Sequence, residues 1–191
     1  MTLTHKNPLL LPLMALVVML AGGCGFQLRG DIDLTPALQT INLSGVQSGS
    51  NLSRSLRQNL SYNNVVISDS ADNTVAILKS SSDQRPVTFT GTGQGAQYEV
   101  TSRLDFQLQN VNGTRLIGPY SLVAQRTYRA DQNNTTASIS ERGVLTKALE
   151  DDLAQQLMRR LQAVTSEQLA MAHEEARKRE MEKERAAAAN Q

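Results

Sequence analysis

Among its 191 residues the chain has one cysteine, Cys24, and two histidines, His5 and His173. No Cys/His zinc cluster, Ser–His pair, Cys–His pair or disulfide framework can be assembled from that inventory. Carboxylate chemistry stays open, whereas most familiar catalytic classes do not. An excess of one charge is missing too: 19 Lys and Arg stand against 18 Asp and Glu. The chain therefore lacks the strongly basic footprint of a nucleic-acid binder. A long hydrophobic run is also absent. The run Leu9–Leu20 is interrupted at Pro12 and falls short of the ~20 residues a spanning helix needs. The length suits one domain with some decoration.

What is present begins with an export signal. Residues 1–8 carry one Lys and no acid, the short apolar run follows, and Ala21, Gly22 and Gly23 precede Cys24. A basic start, an apolar stretch and small residues before a cut predict a signal peptide over residues 1–23. A short membrane span or a core helix is the competing reading. The small residues before Cys24 resemble the bacterial lipobox, with Ala21 where Leu is favoured and Leu20 one place further out. That resemblance implies a diacylglycerol on the Cys24 thiol, cleavage before it, and an acylated new amine. Two or more acyl chains make a stable anchor, at about 0.8 kcal/mol per buried CH₂. Gly25, not Asp, follows the cysteine. By similarity to sorting in Gram-negative lipoproteins, this implies release to the outer membrane, with residues 24–191 facing the periplasm.

The mature chain reads as an α+β, two-layer sandwich. Ala37 to Leu43 predicts a short extended stretch, and Ser44 to Ser50 a Gly/Ser loop. Ser50 or Asn51 can cap a helix to about Tyr62, with Leu52, Leu56 and Leu60 as its single apolar stripe and Asn63-Asn64 as its stop. Val65 to Ser68 and Thr74 to Lys79 predict strands, and residues 80–95 a polar, Gly-rich hairpin region. The strongest pattern is residues 96–110. Tyr98, Val100, Leu104, Phe106 and Leu108 alternate with Glu99, Arg103, Asp105, Gln107 and Gln109, which predicts a long antiparallel strand with one dry and one wet face. Asn112-Gly113 signals a hairpin turn. The return strand passes through Tyr120, Leu122, Ala124 and Tyr128, irregular at Gly118-Pro119, and ends at residues 131–134. Leu145, Leu149, Leu153, Leu157 and Leu161 mark a second helix that starts between Thr136 and Gly143. Two amphipathic helices can cover the apolar face of a largely antiparallel sheet of about four strands. From residue 166 the composition changes: five acids and five bases lie between His173 and Arg185, predicting a solvated, helical or frayed charged tail over 166–191.

Candidate chemistry is sparse. Gly91, Gly93 and Gly95 precede a strand and lack a Lys, so they read as a hairpin tip and not as a phosphate loop. The consecutive acids Glu150, Asp151 and Asp152 fan around a helix and do not converge on a metal. Glu99 and Asp105 share a strand face but lie roughly 20 Å apart, too far for a glycosidase pair. Neither a cofactor nor a metal is expected. From Lys79 to Arg129 there are six bases and three acids. Such an excess can meet anionic headgroups or phosphates, with Arg85, Arg126 and Arg129 as the candidate lipid-binding residues. Between Gly25 and Thr165, 52 of 141 residues are Ser, Thr, Asn or Gln and only 25 are charged. A polar, weakly charged skin suits contact with another polar surface, because amides and hydroxyls are cheaper to desolvate than ions.

Four ordered stretches carry a wider resemblance: Cys24-Gly-Phe-Gln-Leu-Arg-Gly30, Leu52-Ser-Arg-Ser-Leu-Arg-Gln-Asn-Leu60, Ala96-Gln-Tyr98-Glu and Leu157-Met-Arg-Arg-Leu161. Together, over residues 24–162, they resemble the LptE family of outer-membrane lipopolysaccharide-assembly lipoproteins. The resemblance implies two helices on a largely four-stranded sheet over residues 24–165. It also implies a non-enzymatic role as a plug in the lumen of the β-barrel LptD, assisting barrel assembly and lipopolysaccharide insertion into the outer leaflet. A polar barrel lumen matches the polar skin. Two other readings stand beside it: an auxiliary lipoprotein of a lipid transporter that works without a barrel, and an envelope hydrolase using only carboxylates.

Overall fold

A computed structural model describes residues 34–89, 91, 95–130 and 134–189. Cys24 and the signal region lie outside the described residues, as do Thr90, residues 92–94 of the Gly-rich tip, and residues 131–133. The elements, in chain order, are a 3-10 turn (Pro36–Leu38), β1 (Thr40–Ser44), α1 (Asn51–Tyr62), β2 (Val66–Ile67), β3 (Asn73–Phe89), β4 (Gly95–Asn110), β5 (Arg115–Arg129), α2 (Thr135–Gln162) and α3 (Ser166–Ala189). One five-stranded sheet results, in the order β2-β1-β3-β4-β5. The three long strands are antiparallel, while the short β1 runs parallel to both β2 and β3.

Local chemistry explains most boundaries. Ser50 Oγ accepts from the Ser53 amide at 3.1 Å, satisfying one of the free donors at the start of α1. Asn64 ends the helix in the left-handed region, at φ 57°, which Asn tolerates better than most residues. An isolated 12-residue helix is marginal in water; burial of Leu52, Leu56 and Leu60 is what keeps α1 formed. In α2 the stripe Leu149, Leu153, Leu157 and Leu161 is buried with Ala154 and Met158. These side chains meet Val100, Leu104, Phe106 and Leu108 of β4 in one core. Each fully buried Leu or Phe contributes roughly 1.5–3 kcal/mol. No residue in the N-terminal half of α2 is fully buried: Leu145 packs half-buried against the core, and Ile139 and Val144 are exposed.

Four expectations are revised. Ala37 and Leu38 are not extended: Pro36 starts a 3-10 turn there, and β1 begins only at Thr40. The polar hairpin region expected over residues 80–95 is a hairpin, but its first limb is the continuation of β3 to Phe89. β4 supplies it with ladder partners from Asp105 down to Gly95, so its polar side chains need no core of their own. Helix α2 starts at Thr135, one residue before the expected window, capped by the Asn134 side chain on the Ala137 amide. The region from residue 166 is a helix as anticipated, but one stripe of its first half is not solvated. Leu169, Ala172 and Ala176 are buried in the same core.

Polar ties add to that docking of α3. Thr35 and Ser166 hydroxyls are hydrogen-bonded, and His173 Nε2 lies 2.8 Å from Asn73 Oδ1. Glu180 accepts from Asn110 Nδ2 at 2.9 Å and from Asn112 Nδ2 at 3.1 Å. The donor side chains around Glu180, Asn110 first, hold its carboxyl below the ordinary range. Apart from Arg179 and Glu180, which reach the β4–β5 turn, the charges that make the tail look solvated are not tied to the sheet, and the buried apolar positions are spaced 169, 172, 176.

Candidate functional site: the open face of the sheet

Strand alternation sorts the side chains of β3, β4 and β5 into two populations. Even-numbered β4 residues from Val100 to Leu108 are buried beneath the helices. Odd-numbered ones, Glu99 to Gln109, are half-buried or exposed on the opposite side. Across the ladder this open face gathers Lys79, Ser81, Asp83 and Arg85 from β3 with Ser121, Val123, Gln125, Thr127 and Arg129 from β5. The two-faced strand expected from residues 96–110 is therefore present.

Charges on this face largely cancel. Arg85 contacts Glu99 Oε1 at 2.8 Å, and Lys79 stands across from Asp105 in the ladder. Arg103 donates to Ser121 Oγ at 3.1 Å, and Gln107 donates to Gln109 Oε1 at 3.3 Å. The remaining positions are mostly hydroxyls and amides. An exposed pair such as Arg85–Glu99 is worth at most about 1 kcal/mol, so these side chains can exchange partners with an incoming polar surface at little cost.

The three candidate cations do not form one cluster. Arg85 and Arg129 lie on the open face, at the end of the sheet where β3 meets β4. Arg126 stands across from the buried Val100, on the helix side, and its guanidinium reaches Asp152 Oδ2 of α2 at 2.7 Å. The signal was available: residues three apart on a regular strand point to opposite faces.

The acidic run also disperses. Asp151 accepts from the Ser55 hydroxyl of α1, Asp152 takes Arg126, and Glu150 is half-buried with one oxygen, Oε2, lacking a hydrogen-bond partner. Burial, followed by the neighbouring Asp151, pushes the Glu150 carboxyl above its ordinary range. Among the described residues no group of His, Cys, Asp and Glu could hold a metal ion, and no helix is long and apolar enough to cross a membrane.

A second feature escaped the sequence reading. Arg160, late in α2, lies over the Tyr120 ring with its guanidinium carbon 3.9 Å from the centroid. Beside it is a groove of about 330 Å³ lined by Ile117, Tyr120, Arg160, Ala163, Val164 and Gln168. It forms where the α2–α3 junction passes β5, so no contiguous motif announces it.

Comparison with known proteins places this architecture. The sequence profile of the LptE family, described as Lipopolysaccharide-assembly, matches residues 37–161. The LPS-assembly lipoprotein LptE of Yersinia enterocolitica is 31% identical over 88% of this chain and 83% of its own length. The protein of the same name from Yersinia pestis is 32% identical over 83% and 78%. Solved structures agree on the fold. A lipoprotein B from Nitrosomonas europaea superposes with a TM-score of 0.61 at 19% identity, over 77% of this chain and 96% of that one. The minor lipoprotein from Acinetobacter baumannii gives 0.58 at 22% identity, over 66% and 92%. With a profile spanning the core from β1 to the last turn of α2, and relatives above 30% identity over most of the chain, the protein belongs to the LptE family of lipopolysaccharide-assembly lipoproteins.

Proposed function

We propose that the protein is held on the periplasmic side of the outer membrane by lipid on Cys24, and that it occupies the lumen of an LptD-type β-barrel. There it assists barrel assembly and lets lipopolysaccharide pass to the outer leaflet. The role is non-enzymatic, as in its family. The observation that carries the reading is the open sheet face, a broad surface of hydroxyls, amides and mutually neutralised charges on the side away from the helices. A porin-like lumen is itself polar, and two such surfaces can meet without stranding buried charge. Arg85, Arg126 and Arg129 are the cations assigned to direct lipopolysaccharide contact. The first and last are accessible from the open face, and Arg126 must leave Asp152 to serve.

The test is affinity isolation of the tagged, lipidated protein from detergent-solubilised outer membranes. A large β-barrel recovered in stoichiometric amount supports the plug. Intact lipidation with no barrel, in mild detergent, removes the plug reading and leaves a lipid-transport auxiliary that acts without a barrel.

A further inference from the structure

The sequence holds one Asn-Gly pair, Asn112-Gly113, and it sits in the exposed turn between β4 and β5. Side chains of that turn converge on one carboxylate of α3. Asn110 Nδ2 lies 2.9 Å from Glu180 Oε1 and Asn112 Nδ2 lies 3.1 Å from Oε2, and the Thr114 side chain is a third donor. Arg179 adds a bond from its guanidinium to the Arg115 carbonyl at 3.0 Å. These contacts clasp the turn to α3 one helical turn beyond Ala176, the last buried position of that helix. The two amides of the turn differ. Asn110 is buried, its Oδ1 accepts from the Asn112 and Thr114 amides, and the bulky Val111 follows it. Asn112 is exposed, and the glycine after it has no side chain to shield its backbone nitrogen; a Cβ there would meet nothing within 4 Å.

We propose that Asn112 is a site of spontaneous deamidation, that the clasp to Glu180 restrains the reaction, and that the product breaks the clasp. The Gly113 nitrogen adds to Asn112 Cγ and gives up its proton, and the side-chain nitrogen leaves as ammonia. Water then opens the five-membered imide. Opening at Cγ gives Asp; opening at the backbone carbonyl gives isoaspartate, which routes the chain through the side-chain carbon and lengthens the turn by one atom. In sum an amide and a water become a carboxylate and an ammonium ion, with no oxidant, metal or enzyme. In the docked state both reacting groups are held. The Gly113 N–H is bonded to the Asn110 carbonyl at 3.0 Å, and Glu180 holds the Asn112 carboxamide. Each opening of α3 frees that carboxamide to turn toward the nitrogen. Once formed, the new carboxylate stands where a donor stood and faces Glu180, whose own carboxyl Asn110 and Thr114 hold below its ordinary range. A hydrogen bond to a charged group is thereby replaced by like-charge repulsion. The turn is a one-way release for the C-terminal helix, because the ammonia does not return.

The experiment ages the full lipidated chain in detergent at neutral pH. Trypsin releases Leu104–Arg115, which carries both amides, and fragment masses locate the gain of about 1 Da that marks each conversion. The expected result is conversion at Asn112, with Asp and isoaspartate both formed, and none at Asn110. Glu180→Ala should speed it by about threefold or more, and Glu180→Gln, which keeps an acceptor oxygen, by less. Asn112→Asp, the product made directly, should speed amide hydrogen exchange along residues 166–181 by about tenfold. Most of that gain should vanish when Glu180→Gln is added, because the effect belongs to the pair. The aged wild-type chain gives the same exchange readout without any substitution, and thermal unfolding separates a loosened helix from a misfolded domain. No conversion at Asn112, while a free peptide of the same sequence converts fully, overturns the site. Equal rates in wild type and Glu180→Ala overturn the restraint by the clasp, and unchanged exchange in both Asn112→Asp and the aged chain overturns the release.

Discussion

Three glycines share one backbone conformation and differ only in what surrounds them, which makes a controlled test of how β1 meets β3. Gly45, Gly49 and Gly113 have φ of 78°, 79° and 78°. A Cβ added at Gly49 or Gly113 would meet nothing within 4 Å, whereas at Gly45 it would lie 2.0 Å from the Ile77 carbonyl oxygen and 3.0 Å from the carbonyl carbon. Alanine at any of the three incurs the left-handed penalty of roughly 1–2 kcal/mol, offset by about 0.4–1 kcal/mol from the stiffer unfolded chain. Gly49→Ala and Gly113→Ala should therefore cost about 1 kcal/mol each. Gly45→Ala must in addition push backbone from backbone by more than an ångström, next to the Ser44–Ala76 pairing that joins β1 to β3. Leu43, Val75 and Ile77 at that junction are buried, so the displacement opens core, and the total should exceed about 3 kcal/mol. Urea unfolding of a water-soluble form beginning at Gly25, followed by circular dichroism, measures all three. Equal losses at Gly45 and Gly113 would refute the close approach of β1 to Ile77 on which this reasoning depends.

Three further outcomes are expected. Leu157→Ala, at a side chain with 0% exposure, should cost about 2–5 kcal/mol. Ile139→Ala on the same helix, 71% exposed, should stay within about 0.5 kcal/mol, and a thermal melt that ranks them otherwise contradicts the half-buried, half-bare description of α2. For Glu150, whose carboxyl is pushed upward mainly by burial, the sign runs against the ionised form: the native state is penalised above its raised pKa and relieved as pH falls through it. Glu150→Gln should accordingly raise the unfolding midpoint at pH 7, with the gap over wild type shrinking as pH drops toward the ordinary glutamate range of about 4.3; a pH-independent gap counts against desolvation as the cause. Cys24→Ala should leave the precursor without palmitate label and out of the outer-membrane fraction, and normal fractionation of that variant would remove the anchor from the proposal.

Much of the fold was legible because it depends on short-range periodicity. The four-residue spacing of Leu52, Leu56 and Leu60, the leucine stripe of α2 and the alternation along residues 96–110 each name their own element and buried face. Asn112-Gly113 placed the β4–β5 turn for the same local reason. The misreadings share one cause. Residues 80–89 are too polar to announce how far the strand before the hairpin tip runs, and the ladder to β4 carries it to Phe89. Residues 166–176 are charged enough to resemble solvated tail, and only the sheet end and α2 give Leu169, Ala172 and Ala176 something to pack against.

The candidate sites divide in the same way. That the protein offers a polar, weakly charged surface follows from composition, and its family follows from ordered short motifs; both are properties of the chain in one dimension. Which side chains share a surface is not. Arg126 and Arg129 are near in sequence yet lie on opposite faces because a strand alternates, and Asp152 claims Arg126 from 26 residues away. Arg160 and Tyr120, 40 positions apart in the chain, meet only because α2 lies across β5. Local pattern determines elements and their dry faces, since those rest on neighbours three or four residues away. Convergence of distant residues on one groove depends on register and packing between elements, which the tertiary structure decides.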